Sequence, residues 1–237
     1  MSWARRRALL LVVLALLAAA VLALALERRQ TRPPGQRPTL LLLTSLPLVF
    51  GEDFSLEGGG SPALTALRTR YRVVPISVTD PAELAKGRLL LMAQPFAQPA
   101  EDLVALDDWV RKGGRLLLLA DPMLEWPTQR PLGDPLRPPA MFMDTGLLVH
   151  WGLRLDAPDQ RGPRLTALGG HDVLTVSPGQ LFGGCRISGG RVVAHCPIGR
   201  GQVTIVADAD LLDVPDLGDG GQHNLDAVLS ELSSLER

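Results

Sequence analysis

Residues 8–26 form an unbroken run of 19 apolar positions. As a helix at about 1.5 Å per residue it reaches roughly 28 Å, close to the thickness of a bilayer core. Arg5, Arg6 and Arg7 precede it, and Glu27, Arg28, Arg29 and Arg32 follow. The pattern predicts a transmembrane signal-anchor over 8–26, a cytoplasmic tail over 1–7 and a linker over 27–38 stiffened by prolines. A cleavable signal peptide, with a shorter apolar stretch of about 7–15 residues, and a buried helix are the rival readings. The anchor reading places the chain in a bacterial inner membrane as a single-pass protein. Its bilayer contact runs through 8–26 and its main domain lies on the periplasmic, extracytoplasmic side.

The pattern then changes. Continuous apolar runs at 39–45, 88–93 and 115–120 read as strands buried on both faces, and 71–77 as a strand that Pro75 pushes towards an edge. Between them, Ser61-Pro62 and Asp80-Pro81 open helices with a capping residue and proline at the first position. A helix over 99–112 has Glu101 and Asp102 in its first turn, Arg111 and Lys112 in its last, and Gly113 after it. This alternation argues for a parallel sheet with helices on both faces, one α/β domain over 39–237.

Residues 121–139 lack a period and read as a long loop. A helix is expected over 141–151 and short β-segments over 153–176. Two strands, 185–188 and 191–196, flank Gly189-Gly190 as a hairpin extension. A further strand follows at 202–207, and Asn224 caps a last amphipathic helix with Leu225, Val228, Leu229, Leu232 and Leu235 on one stripe.

Charge narrows the partners. Residues 39–237 carry 17 Lys+Arg and 24 Asp+Glu, a net charge of −7, which argues against nucleic acid and anionic lipid as partners of the domain. Aromatic residues are only 4% of the chain, which weakens readings built on base or sugar stacking.

Three phrases in order carry a resemblance. They are Gly60-Ser61-Pro62-Ala63-Leu64-Thr65-Ala66-Leu67 before Tyr71; Leu106-Asp107-Asp108-Trp109-Val110-Arg111-Lys112-Gly113-Gly114-Arg115 running on to Asp121-Pro122; and Gly199-Arg200-Gly201-Gln202-Val203-Thr204-Ile205-Val206-Ala207-Asp208-Ala209-Asp210, followed by Asn224. Together they resemble the glutamine-amidotransferase-like domain of ABC-transport auxiliary proteins related to gliding-motility components, and similar membrane-anchored bacterial proteins of unknown function. The resemblance implies a flavodoxin-like (amidotransferase-like) core without amidotransferase activity. It also implies a role beside a transport or envelope-assembly complex.

The candidate chemistry agrees with a non-enzyme. Cys185 and Cys196 lack the Gly-x-Cys-x-Gly elbow that presents a nucleophile over a helix, and no Gly-x-Ser-x-Gly occurs. A loop with Glu52, Asp53, Gly58, Gly59, Gly60 and Ser61 lies at the C-terminal edge of the sheet, where ligands bind in parallel α/β folds. With Gln94, Asp121 and Asp208 it forms the candidate ligand- or partner-binding set. Asp208, Asp210, Asp213, Asp216 and Asp219 do not follow a calcium-loop spacing, and no metal or cofactor is expected. Auxiliary or scaffolding binding to envelope or transporter subunits is the leading reading. Small-ligand binding at the sheet edge is the alternative, ahead of a divergent hydrolase using Asp121, Asp208 or His223.

The two cysteines are a possible disulfide. If Gly189-Gly190 is a two-residue turn, Ser188 pairs with Arg191 and Cys185 lies diagonal to Cys196. If Gly189 pairs with Val192, the cysteines stand directly opposite. Two buried, reduced thiols are the remaining possibility.

Overall fold

The apolar runs become the core of one sheet. The structure, a computed structural model, describes residues 12–13, 31–50 and 60–237. Strands β1 (Thr39–Thr44), β2 (Arg72–Pro75), β3 (Leu89–Ala93) and β4 (Arg115–Leu119) are followed by β5 (Leu153–Asp156), β6 (Pro163–Leu168), β7 (His171–Val176), β8 (Gln180–Gly183), β9 (Arg186–Ser188), β10 (Val193–Ile198) and β11 (Gly201–Val206). Seven of them form the main sheet in the order β2-β1-β3-β4-β11-β10-β9. The first five run parallel, and β10 and β9 are added antiparallel. One row crosses the sheet from Val74 through Leu41, Leu90, Leu116 and Val203 to Cys196. All of its members but Val74 are buried. Two further antiparallel pairs, β5–β8 and β6–β7, lie outside this sheet.

The helices follow their caps. In α1 (Pro62–Arg70) the Ser61 Oγ accepts from the Leu64 amide at 3.1 Å, and Ala63, Leu64 and Leu67 are buried. In α2 (Pro81–Leu84) Asp80 accepts from the Glu83 amide at 2.7 Å. Helix α3 (Ala100–Arg111) buries Leu106 and Val110 and ends at Gly113, whose φ of 111° suits glycine. Strand order reverses at β1: α1 leads outward to β2, while α2 crosses back over β1 to reach β3. Right-handed crossovers then put α1 on one face and α2 and α3 on the other. The crevice between the C-terminal ends of β1 and β3 is therefore the topological switch point.

Three local expectations are corrected. The helix expected over 141–151 is only α4 (Leu147–His150), because Gly146 at φ 103° breaks the helical path. After the short α5 (Val214–Leu217), the last helix α6 (Asp219–Leu235) begins before Asn224. Asn224 is not its cap: the buried side chain accepts from the Leu174 amide at 2.8 Å and donates to the carbonyls of Leu174 and Leu211. The hairpin turn holds Gly189, Gly190, Arg191 and Val192 instead of two residues, so Ser188 pairs with Val193.

The expected architecture as a whole is also corrected. Among the described residues no helix is long and apolar enough to cross a membrane. The longest, α6, carries Asp219, Asp226 and Glu231 along its 17 residues. The expected transmembrane helix followed by a flavodoxin-like parallel sheet is corrected to a mixed α/β fold, and the described residues supply no span for the expected single-pass inner-membrane, periplasmic placement. The sheet itself is mixed. Of the run 8–26, with the bilayer contact expected there, all but Val12 and Val13 lies outside the described residues. Residues 31–38, read as a spacer, dock on the domain: the Arg32 amide donates to Thr69 O at 2.9 Å and its guanidinium meets Glu236 at 3.0 Å.

Candidate functional site

Parallel strands deliver their following residues to one edge, and here that edge collects polar groups. Gln94 follows β3, Asp121 follows β4 and Asp208 follows β11; all three are fully buried. Gln94 adopts φ 42°, a left-handed conformation costly for a residue with a Cβ. It is over-determined by its contacts. Its Oε1 accepts from the Asp121 amide at 3.0 Å, and its Nε2 donates to Asp121 O at 3.1 Å and to Pro139 O at 3.0 Å. Gln94 thus fastens the loop after β4 to the end of β3.

The carboxylates act in the same manner. Asp121 accepts from the amides of Met123 at 2.8 Å and Ala209 at 2.9 Å. Asp208 accepts from Val176 and Leu211, each at 2.8 Å. Asp210, in a 3₁₀ turn Asp210–Leu212, accepts from the Glu125 amide at 2.8 Å, and Ser177 Oγ donates to Glu125 Oε1 at 2.6 Å. Both oxygens of Asp121 and of Asp208 are therefore engaged by backbone amides. This chemistry ties loops together where the sheet ends.

Their electrostatics follow from burial. Burial pushes the Asp121 carboxyl up to about 6 against the lowering pull of the Ala209, Met123 and Asp210 amides, with Glu125 adding to the rise. Burial pushes Asp210 up to about 8, and the Glu125 amide only partly opposes this. Asp208 is raised by burial and then by the nearby Asp121 and Asp210. Asp213 rises to about 6 for the same first reason, with Asp216 next.

The rest of the candidate set is dispersed. Glu52, Asp53, Gly58 and Gly59 lie outside the described residues. Gly60 has φ 81°, and an added Cβ would sit 2.7 Å from Leu64 Cδ2. Ser61 is spent on capping α1. His223 is exposed, and its Nδ1 lies 2.9 Å from Asp219 O within α6.

Beside the carboxylates lies a cleft of about 320 Å³ at the switch point. Leu42, Thr44 and Ser45 of β1 and its following turn, Ile76 after β2, Phe96 after β3 and Arg130 are among its walls. Sequence reading missed this cleft, as well as the parts played by Glu125, Ser177 and Pro139. Its signals were aromatic and proline residues beyond strand ends, such as Pro47, Phe50 and Phe96, which acquire meaning only once strand order is known.

At the opposite edge of the sheet, β9 and β10 pair Arg186 with His195. That register places Cys185 opposite Cys196, and the two are bonded with Cα atoms 4.9 Å apart. Labelling of denatured, unreduced protein should therefore find no free thiol, and reduction should expose both. Reduction should also lower the unfolding free energy by roughly 2–3 kcal/mol, the chain-entropy scale for a short loop. Two thiols labelled without reductant would contradict the bond.

No protein-family model and no curated protein matches the chain. Solved structures share its fold. A cytoplasmic protein from Salmonella typhimurium LT2 aligns with a TM-score of 0.54 at 11% identity, over 83% of this chain and 99% of that one. The mmIFT52 N-terminal domain aligns with a TM-score of 0.52 at 12% identity, over 83% and 97%. An exo-β-1,4-mannosidase from Opitutaceae bacterium strain TAV5 aligns with a TM-score of 0.50 at 14% identity, over 84% of this chain. The chain spans 36% of the mannosidase's length, so the fold also occurs as a part of a glycoside hydrolase chain. At these identities the likeness concerns fold alone.

Proposed function

We propose that this domain is a non-catalytic binding module whose working surface is the C-terminal edge of its parallel strands. The observation that carries the reading is where exposed apolar side chains fall. Among the described residues beyond Val13, Phe50, Phe96, Leu132, Leu136, Met141 and Met143 are exposed in segments following β1, β3 and β4. Val104, Val149 and Leu165 are the exposed large apolar side chains elsewhere. Apolar groups gathered at one edge favour a binding surface. The carboxylates beneath them are occupied by amides, which weighs against hydrolysis through Asp121 or Asp208. The resemblance to ABC-transport auxiliary proteins supports an auxiliary or scaffolding role for such a surface. The cleft at the switch point favours a small ligand as a second reading.

The test is site-specific photo-crosslinking in the native host. A crosslinking phenylalanine analogue at Phe96 should give a discrete adduct that is absent when the analogue replaces Val104 on α3. Equal labelling at both positions, or none at Phe96, would count against the edge. Hydrolysis of glutamine or aryl glycosides that disappears in Asp121→Asn would replace the module reading with an enzyme.

A further inference from the structure

We propose that the cleft between the ends of β1 and β3 binds a small amphiphilic carboxylate, with an aliphatic body on the apolar walls and its anionic head on Arg130. The inference rests on the binding-module reading and names the ligand class of that edge.

Three observations converge. First, the cleft stands over the C-terminal end of β1, the strand at which strand order reverses, with Pro75, Ile76 and Ser77 on the β2 side and Phe96 on the β3 side; open α/β sheets bind ligands beside such reversals. Its volume of about 320 Å³ falls at the lower end of small-molecule sites.

Second, its polar chemistry is sparse: Thr44, Ser45, Ser77 and Arg130 are the polar side chains among the described lining residues. Thr44 Oγ1 donates to Ala93 O at 2.8 Å, and Ser45 Oγ donates to Gln94 O. Both hydroxyl protons are committed to the protein, so neither offers a donor to a ligand. The other walls include Leu42, Ile76 and Phe96, with Pro47, Pro75 and Pro138 as rigid elements. Among the described residues, Arg130 is the one charged residue lining the cleft.

Third, Arg130 is under-paired among the described residues. Its side chain is only 20% exposed, yet its guanidinium makes one long contact, 3.5 Å from Nη1 to Asp134 Oδ2. A guanidinium carries five N–H donors and matches a carboxylate with two parallel bonds. A ligand carboxylate supplies the acceptors that the described protein groups do not. The wall that carries the arginine is held in place: Arg137 donates to Arg130 O, the Leu136 amide donates to Asp134 Oδ1 at 2.8 Å, and Gln94 holds Pro139 O. The strained Gln94 thereby acts on this cleft as a positioning residue.

The head-group and body requirements separate cleanly in calorimetric titrations of the full chain with decanoate, decanol, decyltrimethylammonium and acetate below their micellar concentrations. Decanoate should bind at least tenfold more tightly than each of the others. Arg130→Met keeps the stem packed and should weaken decanoate at least tenfold while leaving decanol unchanged. Ser77→Phe, which puts a ring at the cleft mouth, should block decanoate without touching Arg130. Equal affinity for decanoate and decanol, or an unaltered decanoate affinity in Arg130→Met, would overturn the proposal. So would preference for a short peptide ending in a leucine carboxylate. Absence of decanoate binding together with a Phe96 crosslink would remove this ligand class and leave the module reading standing.

Discussion

Raising the pH from about 5 to about 8 is expected to destabilise the fold by on the order of 3 kcal/mol. The cause is the buried carboxylates at the sheet edge. In the unfolded chain they ionise near 4, whereas in the fold burial raises Asp121 to about 6 and Asp210 to about 8, with Asp208 also raised. Between those values the folded state holds protons that the unfolded state has released, so unfolding free energy falls as pH rises. A tenfold difference in proton affinity between the folded and unfolded states is worth about 1.4 kcal/mol. Asp121, Asp208 and Asp210 titrate as one interacting group, so their separate contributions do not add. Asp107 and Glu231 work the other way: each is held below its usual range, and the stability each contributes is lost only as pH falls below about 4. Maximum stability should therefore lie at mildly acidic pH. Urea unfolding at pH 5, 6.5 and 8 reads the slope directly. Asp210→Asn keeps an oxygen for the Glu125 amide but cannot ionise, so it should flatten much of the slope and stabilise the protein at pH 8. A wild-type stability that is level or rising from pH 5 to 8 would refute this account.

The sheet core was legible because burial on two faces leaves a plain mark: Leu40–Leu43, Leu89–Met92 and Leu116–Leu119 are unbroken apolar runs, and all are buried in the fold. The antiparallel end was legible only as alternatives. Both hairpin registers fit the alternation of side chains. The turn decided between them, with Gly189, Gly190 and Arg191 all at positive φ, and that choice aligned the cysteines. The start of α6 was obscured by Gly218, Gly220 and Gly221, which read as loop although packing carries the helix through the latter two. Asp121 and Asp208 could be placed because each ends an apolar run. Their partners could not, since they are backbone amides brought together by the fold. Asp210 meets Glu125 across 85 residues, and Ser177 meets Glu125 across 52, and no spacing rule encodes such contacts. The cleft escaped notice for a related reason: its walls come from segments adjacent only because β2 and β3 flank β1.

Replacing His195 with alanine should cost about 1–3 kcal/mol at neutral pH, the scale for leaving a buried polar group short of a hydrogen bond. His195 on β10 and Thr204 on β11 face Glu231 of α6, which is only 5% exposed. Thr204 Oγ1 donates to Glu231 Oε1 at 2.6 Å, and His195 Nε2 lies 3.2 Å from the same oxygen. Burial alone would raise the Glu231 carboxyl. The hydrogen bonds from His195 and Thr204, with the charges of His195 and Arg186, outweigh it and hold the group below its usual range. Removing the imidazole leaves a carboxylate inside the protein with a hydroxyl as its nearest donor, and the desolvation already incurred is no longer offset. Because the His195 side chain is 27% exposed, water can enter where the ring was, which limits the cost. The cost should shrink in acid, where Glu231 takes up a proton. Glu231→Met removes the charge and fills a similar volume, so the double variant His195→Ala/Glu231→Met should recover most of the stability lost in His195→Ala. Urea unfolding of wild type, both single variants and the double variant at pH 7 completes the cycle. Simple additivity of the two single costs would show that His195 and Glu231 are not coupled.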